Sequence, residues 1–393
     1  FWLKAPPLPS PVRRRLSPKS AMVAALLLPA AGAVVGVGLA SRVAFWWLTK
    51  KIAHILTGAQ RRQLCPPDDH EIANGGCHVD LKGLRVQREV RTLKNGEKAF
   101  GQVIAPEGKS PTCVFVFMHG YSSHGDMYFE AACLLARRGA AVLMPDLPCH
   151  GRTDGLLCHV PDWWSWVEQV WEIVELFLPL AQEEGNGRPL KIFIGGSSLG
   201  GGLASCMCVQ RPTFFQGLVL VAPMLVVSDE IKPPVVVQKI FRWIIAPLLP
   251  KWPIAPVKDL ADFDFRVPSQ GHHFDKSNAM SMQGLKARLG SACQFGFVFP
   301  DWMELQLKNV RTPLLIQHGE LDKITDPALS RRLYSEAAAT DKTFKNYEGA
   351  FHCELLSCTP GLSKVIGGDW LPEQAATTQR CLDDISEWLA ERA

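Results

Sequence analysis

A serine flanked by glycines, placed between an apolar strand and a small-residue helix, constrains the fold of this chain more than any other feature. The run LKIFIGG predicts a buried strand, and SLGGGLASCMCVQR predicts the helix that follows it. Gly196, Ser198 and Gly200 fit the pattern G-x-S-x-G, whereas a pattern centred on Ser197 would need a glycine where Leu199 stands. A sharp strand-to-helix turn needs glycines because a Cβ would clash there, and it lifts the serine hydroxyl above the sheet. Ser198 is therefore the candidate nucleophile.

Strands alternate with helices from about residue 81 to the C-terminus. The runs LRVQREVRTL and KAFGQVIAP predict an opening antiparallel pair around Asn95-Gly96. The later alternation predicts an α/β fold with a mostly parallel central sheet and helices on both faces. One segment, about 226–310, interrupts this alternation with Pro-rich apolar patches and no clear strand.

A serine hydroxyl becomes a good nucleophile only when a base accepts its proton. In a fold of this type the acid and the histidine follow the serine in the chain. His352 comes after the strand KTFKNYEG and is the last histidine of the sequence. The acid should follow the strand TPLLIQHG, where Glu320, Asp322 and Asp326 are all available, and we favour Asp322.

The negative oxygen formed during such a reaction needs two N–H donors. Leu199 supplies one candidate, and Tyr121, which follows the His119-Gly120 pair at a strand end, supplies the other. His119 and His124 resemble metal ligands in type only, since no carboxylate or cysteine completes a metal site in that context. No metal and no cofactor are expected.

The net charge bears on possible partners, and the cysteine spacing bears on the redox state of the protein. A net charge of +4 over 393 residues gives no case for a nucleic-acid partner. The twelve cysteines include no C-x-x-C pair, and the chain is too long for a small disulfide scaffold. We expect most of them to be reduced residues of the core, which favours a catalytic domain that faces the cytosol.

The N-terminal residues 1–59 combine a basic tail with an uncharged apolar stretch at 21–40, followed by Trp46 and Trp47. About 20 apolar residues suffice to span a bilayer, and tryptophans suit its interface. We expect a membrane location with a single N-terminal anchor; a cleaved targeting peptide is the alternative. Residues 60–80 are expected to form a polar connector, with the catalytic domain at 81–393.

The ordered motifs HGYSSHGDMY, DLPCHGRTDG, GGSSLGG, LVAPM, HGELDKITD and YEGAFH resemble the monoglyceride lipase and lysophospholipase branch of the α/β-hydrolases. The stretch RRLYSEAAATDKTFKNYEGAFH is similar to plant and algal members, which include caffeoylshikimate esterases. The resemblance implies an α/β-hydrolase fold with an inserted cap at about 226–310. It also implies a triad of Ser198, Asp322 and His352, with Tyr121 and Leu199 framing the oxyanion hole.

Three positions depart from the animal monoglyceride lipases. Ser123 and Met127 stand where those enzymes carry a glutamate and an arginine that help to bind glycerol, and Leu355 replaces a second histidine. These departures weaken the expectation of a glycerol head group but leave the triad intact.

The resemblance implies a serine ester hydrolase that acts on monoacylglycerol or lysophospholipid through an acyl-enzyme. The alternatives are an esterase for phenolic esters of the caffeoylshikimate type and an acyltransferase. A non-catalytic binding module is disfavoured because no triad residue is missing. The apolar run at 235–249 fits ordinary packing of the cap, and it equally fits an acyl tunnel or a surface that touches a membrane.

Overall fold

The computed structural model describes residues 57–393, apart from residues 74, 227–233, 256–259, 278–279, 283–285 and 366–367. The described strands are β1 Leu84–Thr92, β2 Lys98–Pro106, β3 Cys113–Met118, β4 Ala140–Pro145, β5 Lys191–Ser197, β6 Gly217–Val221, β7 Leu314–Gly319 and β8 Lys342–Tyr347. They form one sheet in the order β1-β2-β4-β3-β5-β6-β7-β8. The β1–β2 and β2–β4 pairs are antiparallel and the other neighbours are parallel, which confirms the expected α/β fold with a mostly parallel sheet.

The helices that connect or flank these strands are α1 Gly58–Leu64, α2 His70–Ala73, α3 Phe129–Arg137, α4 Trp163–Glu183, α5 Leu199–Gln210, α6 Val235–Ile240, α7 Ala246–Leu248, α8 Pro268–Ser277, α9 Leu289–Cys293, α10 Phe299–Gln306, α11 Pro327–Glu336, α12 Pro360–Val365 and α13 Pro372–Ala390. Two π-helical turns, Phe241–Ile245 and Gln294–Val298, continue α6 into α7 and α9 into α10. Short 3₁₀ turns occur at Gly125–Tyr128, Leu260–Asp262, Leu307–Asn309 and Cys353–Leu355.

The sheet is covered on both faces, as the residue alternation of strand β3 shows. Its side chains are all buried, and they point alternately to opposite faces of the sheet because a strand has a period of two. Val114 and Val116 belong to the core that α4 and α5 cover, whereas Phe115 and Phe117 belong to the core beneath α3 and α13. Strands buried on both faces are continuous apolar runs, which is why their positions were predictable from the sequence.

A long insertion, residues 222–313, separates β6 from β7. Its described part is built of helices and irregular segments and contains no strand, in agreement with the break in the sequence pattern. The insertion leaves the sheet at the carboxyl end of β6, the neighbour of the central β5, and rejoins it at the amino end of β7. In open parallel sheets, ligands bind at the carboxyl ends of the strands. The insertion is therefore connected to the edge of the sheet where a site is expected.

The N-terminal part of the described chain packs onto the loop that follows β4. Arg61 of α1 is fully buried, and its guanidinium donates hydrogen bonds to the carbonyl oxygens of Gly151, Thr153 and Gly155. A buried arginine must satisfy its donors to offset its desolvation. Helix α1 is thus fixed against the catalytic domain by a buried polar contact, although the sequence predicts a connector from residue 60.

The expected membrane location is contradicted. Within residues 57–393 as described, no helix is both long enough and apolar enough to cross a bilayer. The expectation rested on an apolar stretch at 21–40, which, like the rest of residues 1–56, lies outside the described residues. The expected orientation of the catalytic domain towards the cytosol falls with the membrane location to which it referred.

Candidate active site

Ser198 lies at the turn between β5 and α5 and has a strained backbone. Its φ of 53° and ψ of −118° lie in a region that residues with a Cβ rarely adopt. Its N–H donates to the carbonyl of Val221 at 3.0 Å, which holds the turn against the end of β6. The pattern G-x-S-x-G thus forms a sharp, strained turn between β5 and α5.

The two flanking glycines are required by close approach of the backbone. A Cβ on Gly196 would lie 2.5 Å from the carbonyl carbon of Gly200. A Cβ on Gly200 would lie 2.1 Å from the carbonyl oxygen of Met118, at the end of β3. Because both obstacles are main-chain atoms, no rotation of a side chain would relieve these clashes.

Asp322 and His352 form a short, buried pair. Nδ1 of His352 lies 2.6 Å from Oδ2 of Asp322, and the two residues are 6% and 7% exposed. A carboxylate only accepts hydrogen bonds, so Nδ1 carries a proton and Nε2 of His352 is left as the acceptor. An imidazole with a free Nε2 has the tautomer that a general base needs.

The carboxylate of Asp322 is held by several other donors. Oδ1 accepts the backbone N–H groups of Ile324 at 2.8 Å and Thr325 at 3.0 Å, and Oδ2 accepts the Thr325 hydroxyl at 2.9 Å. Burial opposes ionisation of Asp322, yet the facing His352 and the hydrogen bonds from His318 and His352 hold its pKa well below its usual range. Asp322 is thus a fixed negative charge.

The same pairing acts on His352 in the opposite direction. Burial favours the neutral imidazole, but the charge of Asp322 and its hydrogen bond outweigh burial and raise the pKa of His352 above its ordinary value. The imidazole is therefore a stronger base than a solvated histidine.

The two other carboxylates considered for the acid have different partners. Glu320 accepts the backbone N–H of Gly349 at 3.0 Å, and Asp326 caps α11 by accepting the N–H of Ala328 at 2.8 Å. Neither of them bonds to His352 among the described contacts. The structure thus brings Asp322, rather than these neighbours, to the imidazole.

His318 is a member of this network that the sequence reasoning missed. Its Nε2 lies 3.2 Å from Oδ2 of Asp322, and its Nδ1 lies 2.7 Å from the hydroxyl of Ser330. It is fully buried at the end of β7, four residues before Asp322. The H-x-x-x-D spacing at a strand end is a signal that could have identified it.

The loop after β3 approaches the serine turn. A Cβ on Gly120 would lie 3.6 Å from Cβ of Ser198, so the loop and the turn are in near contact. His119 braces this loop by donating through Nδ1 to the Gly120 carbonyl at 2.8 Å and accepting the N–H of Leu147 through Nε2 at 3.0 Å. Burial lowers the pKa of His119 to about 3, so its imidazole stays neutral and keeps the two hydrogen bonds that hold this loop in place.

Tyr121 and Leu199 occupy the two positions expected to provide N–H donors. Leu199 is the first residue of α5, where backbone N–H groups have no acceptor within the helix and the helix dipole favours negative charge. Tyr121 is anchored by its hydroxyl, which donates to the Cys158 carbonyl at 3.0 Å. The next residue, Ser122, has a φ of 58° and accepts the N–H of Met282 from the insertion at 2.8 Å.

The serine and the imidazole are not hydrogen-bonded to each other among the described residues. An indirect path connects them through the end of β6. The backbone N–H of Ser198 donates to the carbonyl of Val221, and the next carbonyl, that of Ala222, lies 3.1 Å from the Thr325 hydroxyl. The same hydroxyl lies 3.3 Å from Nδ1 of His352. Catalytic hydrogen bonds are often long before substrate binds and tighten in the reacting complex. Ser198 follows β5 and His352 follows β8, so both lie at the carboxyl edge of the parallel part of the sheet.

A metal centre has no support within the described part of the chain. No group of three or more His, Cys, Asp or Glu side chains suited to a metal ion occurs there. His119 uses both ring nitrogens in the protein bonds given above. All twelve cysteines are free thiols, and most of them are buried.

The positions that depart from the animal lipases have distinct surroundings. Met127 is 2% exposed and Leu355 is fully buried, so both pack in the interior. Ser123 is half-buried in the loop after β3. Two of the three positions are therefore apolar and buried, and neither offers a polar group to a glycerol head group.

Comparisons with a protein family, with related sequences and with a solved structure all point to serine hydrolases. Residues 109–357 match the family described as serine aminopeptidase, S33. The chain is 27% identical to caffeoylshikimate esterase of Arabidopsis thaliana, over 79% of this chain and 87% of that protein. It is likewise 27% identical to monoglyceride lipase of Homo sapiens, over 72% of this chain and 89% of that protein. The solved structure of a soluble variant of monoglyceride lipase from Saccharomyces cerevisiae superposes with a TM-score of 0.63 at 19% identity, covering 80% of this chain and 98% of that one. This last similarity bears on the fold alone, and it is the α/β-hydrolase fold.

Proposed function

Because the chain belongs to the serine aminopeptidase S33 family and is a carboxylic ester hydrolase, we propose that Ser198, Asp322 and His352 are its catalytic triad. The observation that carries the proposal is the buried 2.6 Å contact between His352 Nδ1 and Asp322 Oδ2, at the carboxyl edge of the sheet where the Ser198 turn also lies. It leaves Nε2 of His352 as the free acceptor for a serine proton.

In the proposed reaction, Oγ of Ser198 attacks the ester carbonyl carbon while Nε2 of His352 takes its proton. The tetrahedral intermediate collapses, the alcohol leaves with the proton from His352, and an acyl-enzyme remains. A water molecule, deprotonated by His352, then attacks the acyl carbon and releases the carboxylic acid and the serine. Asp322 stays ionised throughout and stabilises the imidazolium.

The N–H groups of Tyr121 and Leu199 are the proposed oxyanion donors. Support comes from the near contact of the Gly120 loop with Ser198 and from the position of Leu199 at the start of α5. Preorganised donors of this kind cost no reorganisation when the negative charge develops.

We place the insertion over the site as its cap. It contacts the oxyanion loop through the bond from Met282 to Ser122, and it contacts the loop after His352 through the bond from Cys353 to Asp264. Its contacts with both loops support a position over the site. The cap boundaries at about 226–310 and the connector at 60–80 remain part of this proposal.

The proposed substrate is a monoacylglycerol or a lysophospholipid. The helix from Val235 to Leu248 exposes large apolar side chains, with Val236 68%, Trp243 70% and Leu248 72% exposed. An apolar patch on a cap fits contact with an aggregated lipid from which a single acyl chain enters the site. The named activity of the human relative points to the same substrate class.

A phenolic ester is the second candidate. The relative from Arabidopsis thaliana is a caffeoylshikimate esterase, and Ser123 and Met127 replace the glutamate and arginine with which animal lipases help to bind glycerol. Both candidates use the same acyl-enzyme chemistry, so only the substrate pocket distinguishes them.

A parallel assay tests the function. The protein is incubated with a monoacylglycerol, lysophosphatidylcholine and caffeoylshikimate at equal concentration, and the released acid is measured. We expect the highest kcat/KM on one of the two lipids, and a clear preference for caffeoylshikimate would select the second candidate. Ser198→Ala should lose all three activities and its labelling by a fluorophosphonate, whereas the neighbouring variant Ser197→Ala should keep its labelling. Labelling of Ser198→Ala would reject the nucleophile.

A further inference from the structure

Two residues of the insertion, Asp264 and Arg266, contact the loop that carries His352, and Phe265 between them packs against Trp370. They lie between the 3₁₀ turn Leu260–Asp262 and helix α8. Nearly 90 residues separate them in the chain from the histidine loop, so the contact is a product of the fold. Each of the three residues has a different role in it.

Arg266 attaches the segment to a buried carboxylate. Its guanidinium lies 3.1 Å from Oε2 of Glu354 through Nη2, and its backbone N–H donates to Oε1 of Glu354 at 3.0 Å. The same guanidinium donates to the Gly349 carbonyl at 3.0 Å. Glu354 is fully buried and also accepts Nε2 of Gln374 at 2.8 Å. Such a paired buried carboxylate links the two segments of the chain that meet at it.

Phe265 packs the segment against the C-terminal part of the chain. It is fully buried and stacks on Trp370 with ring centroids 5.2 Å apart. Its neighbours on either side therefore have little freedom of position.

Asp264 is consequently held beside the catalytic histidine. Its carbonyl accepts the N–H of Cys353, the residue after His352, at 2.9 Å. Its carboxylate Oδ1 is 3.4 Å from Sγ of Cys353, and a thiol is a weak donor. Among the described residues, no lysine or arginine forms an ion pair with Asp264. Its charge is therefore left to act on the groups that face it.

We propose that Asp264 is a positioning residue for His352, a second carboxylate that the cap supplies to stabilise the imidazolium from the insertion side. The proposal rests on the assignment of His352 as the general base. Asp322 acts on Nδ1 from the strand-end side, whereas Asp264 acts through space and through the backbone of Cys353. The strength of the base then depends on the insertion being seated on the histidine loop.

The groups that face Asp264 set its charge state. They are Cys353 and His352 of the histidine loop, Asp275 of α8 and Asp322 after β7. Burial raises the pKa of Asp264 to about 6, and the facing His352 opposes that rise. Above that pH Asp264 is negative, and a negative neighbour favours the charged form of an imidazole. Removing this charge should therefore lower the pKa of His352.

The decisive variant is Asp264→Asn, which keeps the shape of the side chain and the backbone bond to Cys353. We expect the acid limb of its kcat/KM profile to move to lower pH by roughly half a unit, a shift typical of one nearby charge. We also expect kcat near pH 8 to fall several-fold with KM unchanged, and Asp264→Glu to restore part of the loss. Asp262→Asn is the matched control, because it removes the same charge from an exposed residue of the same segment that pairs with His272.

An acid limb that stays in place in Asp264→Asn, at an unchanged melting temperature, would overturn the proposal. If that variant unfolds, Asp264→Ser is measured in its place, and an unmoved limb there has the same meaning. The proposed function is judged separately through His352→Ala. An active His352→Ala rejects the base itself, whereas an inactive His352→Ala with an unmoved limb in Asp264→Asn rejects only the role of Asp264.

Discussion

Nδ1 of His352 and Oδ2 of Asp322 are 2.6 Å apart, and the contact sets the tautomer of the imidazole. Asparagine at position 322 would offer an amide in place of the carboxylate and could reverse that tautomer. We therefore expect Asp322→Asn to fold normally and to lower kcat by about 10³- to 10⁴-fold, as loss of a triad acid does elsewhere. Steady-state kinetics on a soluble ester, together with a circular dichroism spectrum, checks both parts.

Asp326→Asn is the matched control for this variant. Asp326 lies four residues further along and caps α11 without contacting His352. Asparagine is also a good N-cap, so both stability and kcat should stay near wild type. A large loss of kcat in Asp326→Asn, with Asp322→Asn still active, would show that Asp326 and not Asp322 is the acid of the triad.

The pH dependence of the reaction should follow His352. Burial lowers its pKa, but Asp322 raises it by more, so the net pKa lies above the ordinary value of about 6.5. The neutral imidazole is the active form, and kcat/KM should therefore fall as the pH decreases through this raised pKa. A profile measured from pH 5 to 9 gives the midpoint. A midpoint well below about 6.5 would show that the paired carboxylate does not control the base.

The serine turn should tolerate no side chain at Gly200. A Cβ there would lie 2.1 Å from the Met118 carbonyl oxygen, so β3 or the turn would have to move. We expect Gly200→Ala to destabilise the fold by about 2 kcal/mol or more, the usual effect of overpacking a rigid site. Gly296→Ala is the control, since a Cβ at Gly296 meets nothing within 4 Å and should be neutral or slightly stabilising. Urea unfolding of both variants measures the difference, and equal midpoints would contradict the clash.

The exposed apolar helix of the insertion should matter for aggregated substrates only. Leu248 is 72% exposed, and Leu248→Ser would remove apolar area from the proposed lipid contact. We expect kcat/KM on long-chain monoacylglycerol in micelles to fall several-fold, with no change on a water-soluble short-chain ester. Leu64→Ser, at a 55% exposed leucine of α1, is the matched control and should leave both activities unchanged. An equal loss on both substrates would place Leu248 in the pocket instead.

The elements that the sequence predicted correctly are those with local causes. The buried strands are apolar runs, and the glycines around Ser198 are required by close contacts that the motif encodes. The hairpin around Asn95-Gly96 follows from the left-handed φ of 87° at Gly96, which an Asn-Gly pair accommodates.

The features that escaped prediction depend on contacts between distant residues. Arg61 lies in a stretch that looks polar and exposed, yet it is buried by carbonyls of a loop about 90 residues away. Asp264 and Arg266 lie in a segment without secondary-structure signals, and their partners are far along the chain. No local pattern reports a partner at that separation, because hydrophobic periodicity encodes burial and not pairing.

The position of the insertion between β6 and β7 also has a consequence for biosynthesis. The serine leaves the ribosome first, then the whole of residues 222–313, and only afterwards the acid and the histidine. Domains fold progressively from the N-terminus while the chain is made. A nascent chain that ends before residue 352 therefore carries the proposed nucleophile without its proposed base, and hydrolytic competence arises only after residue 352 has been added.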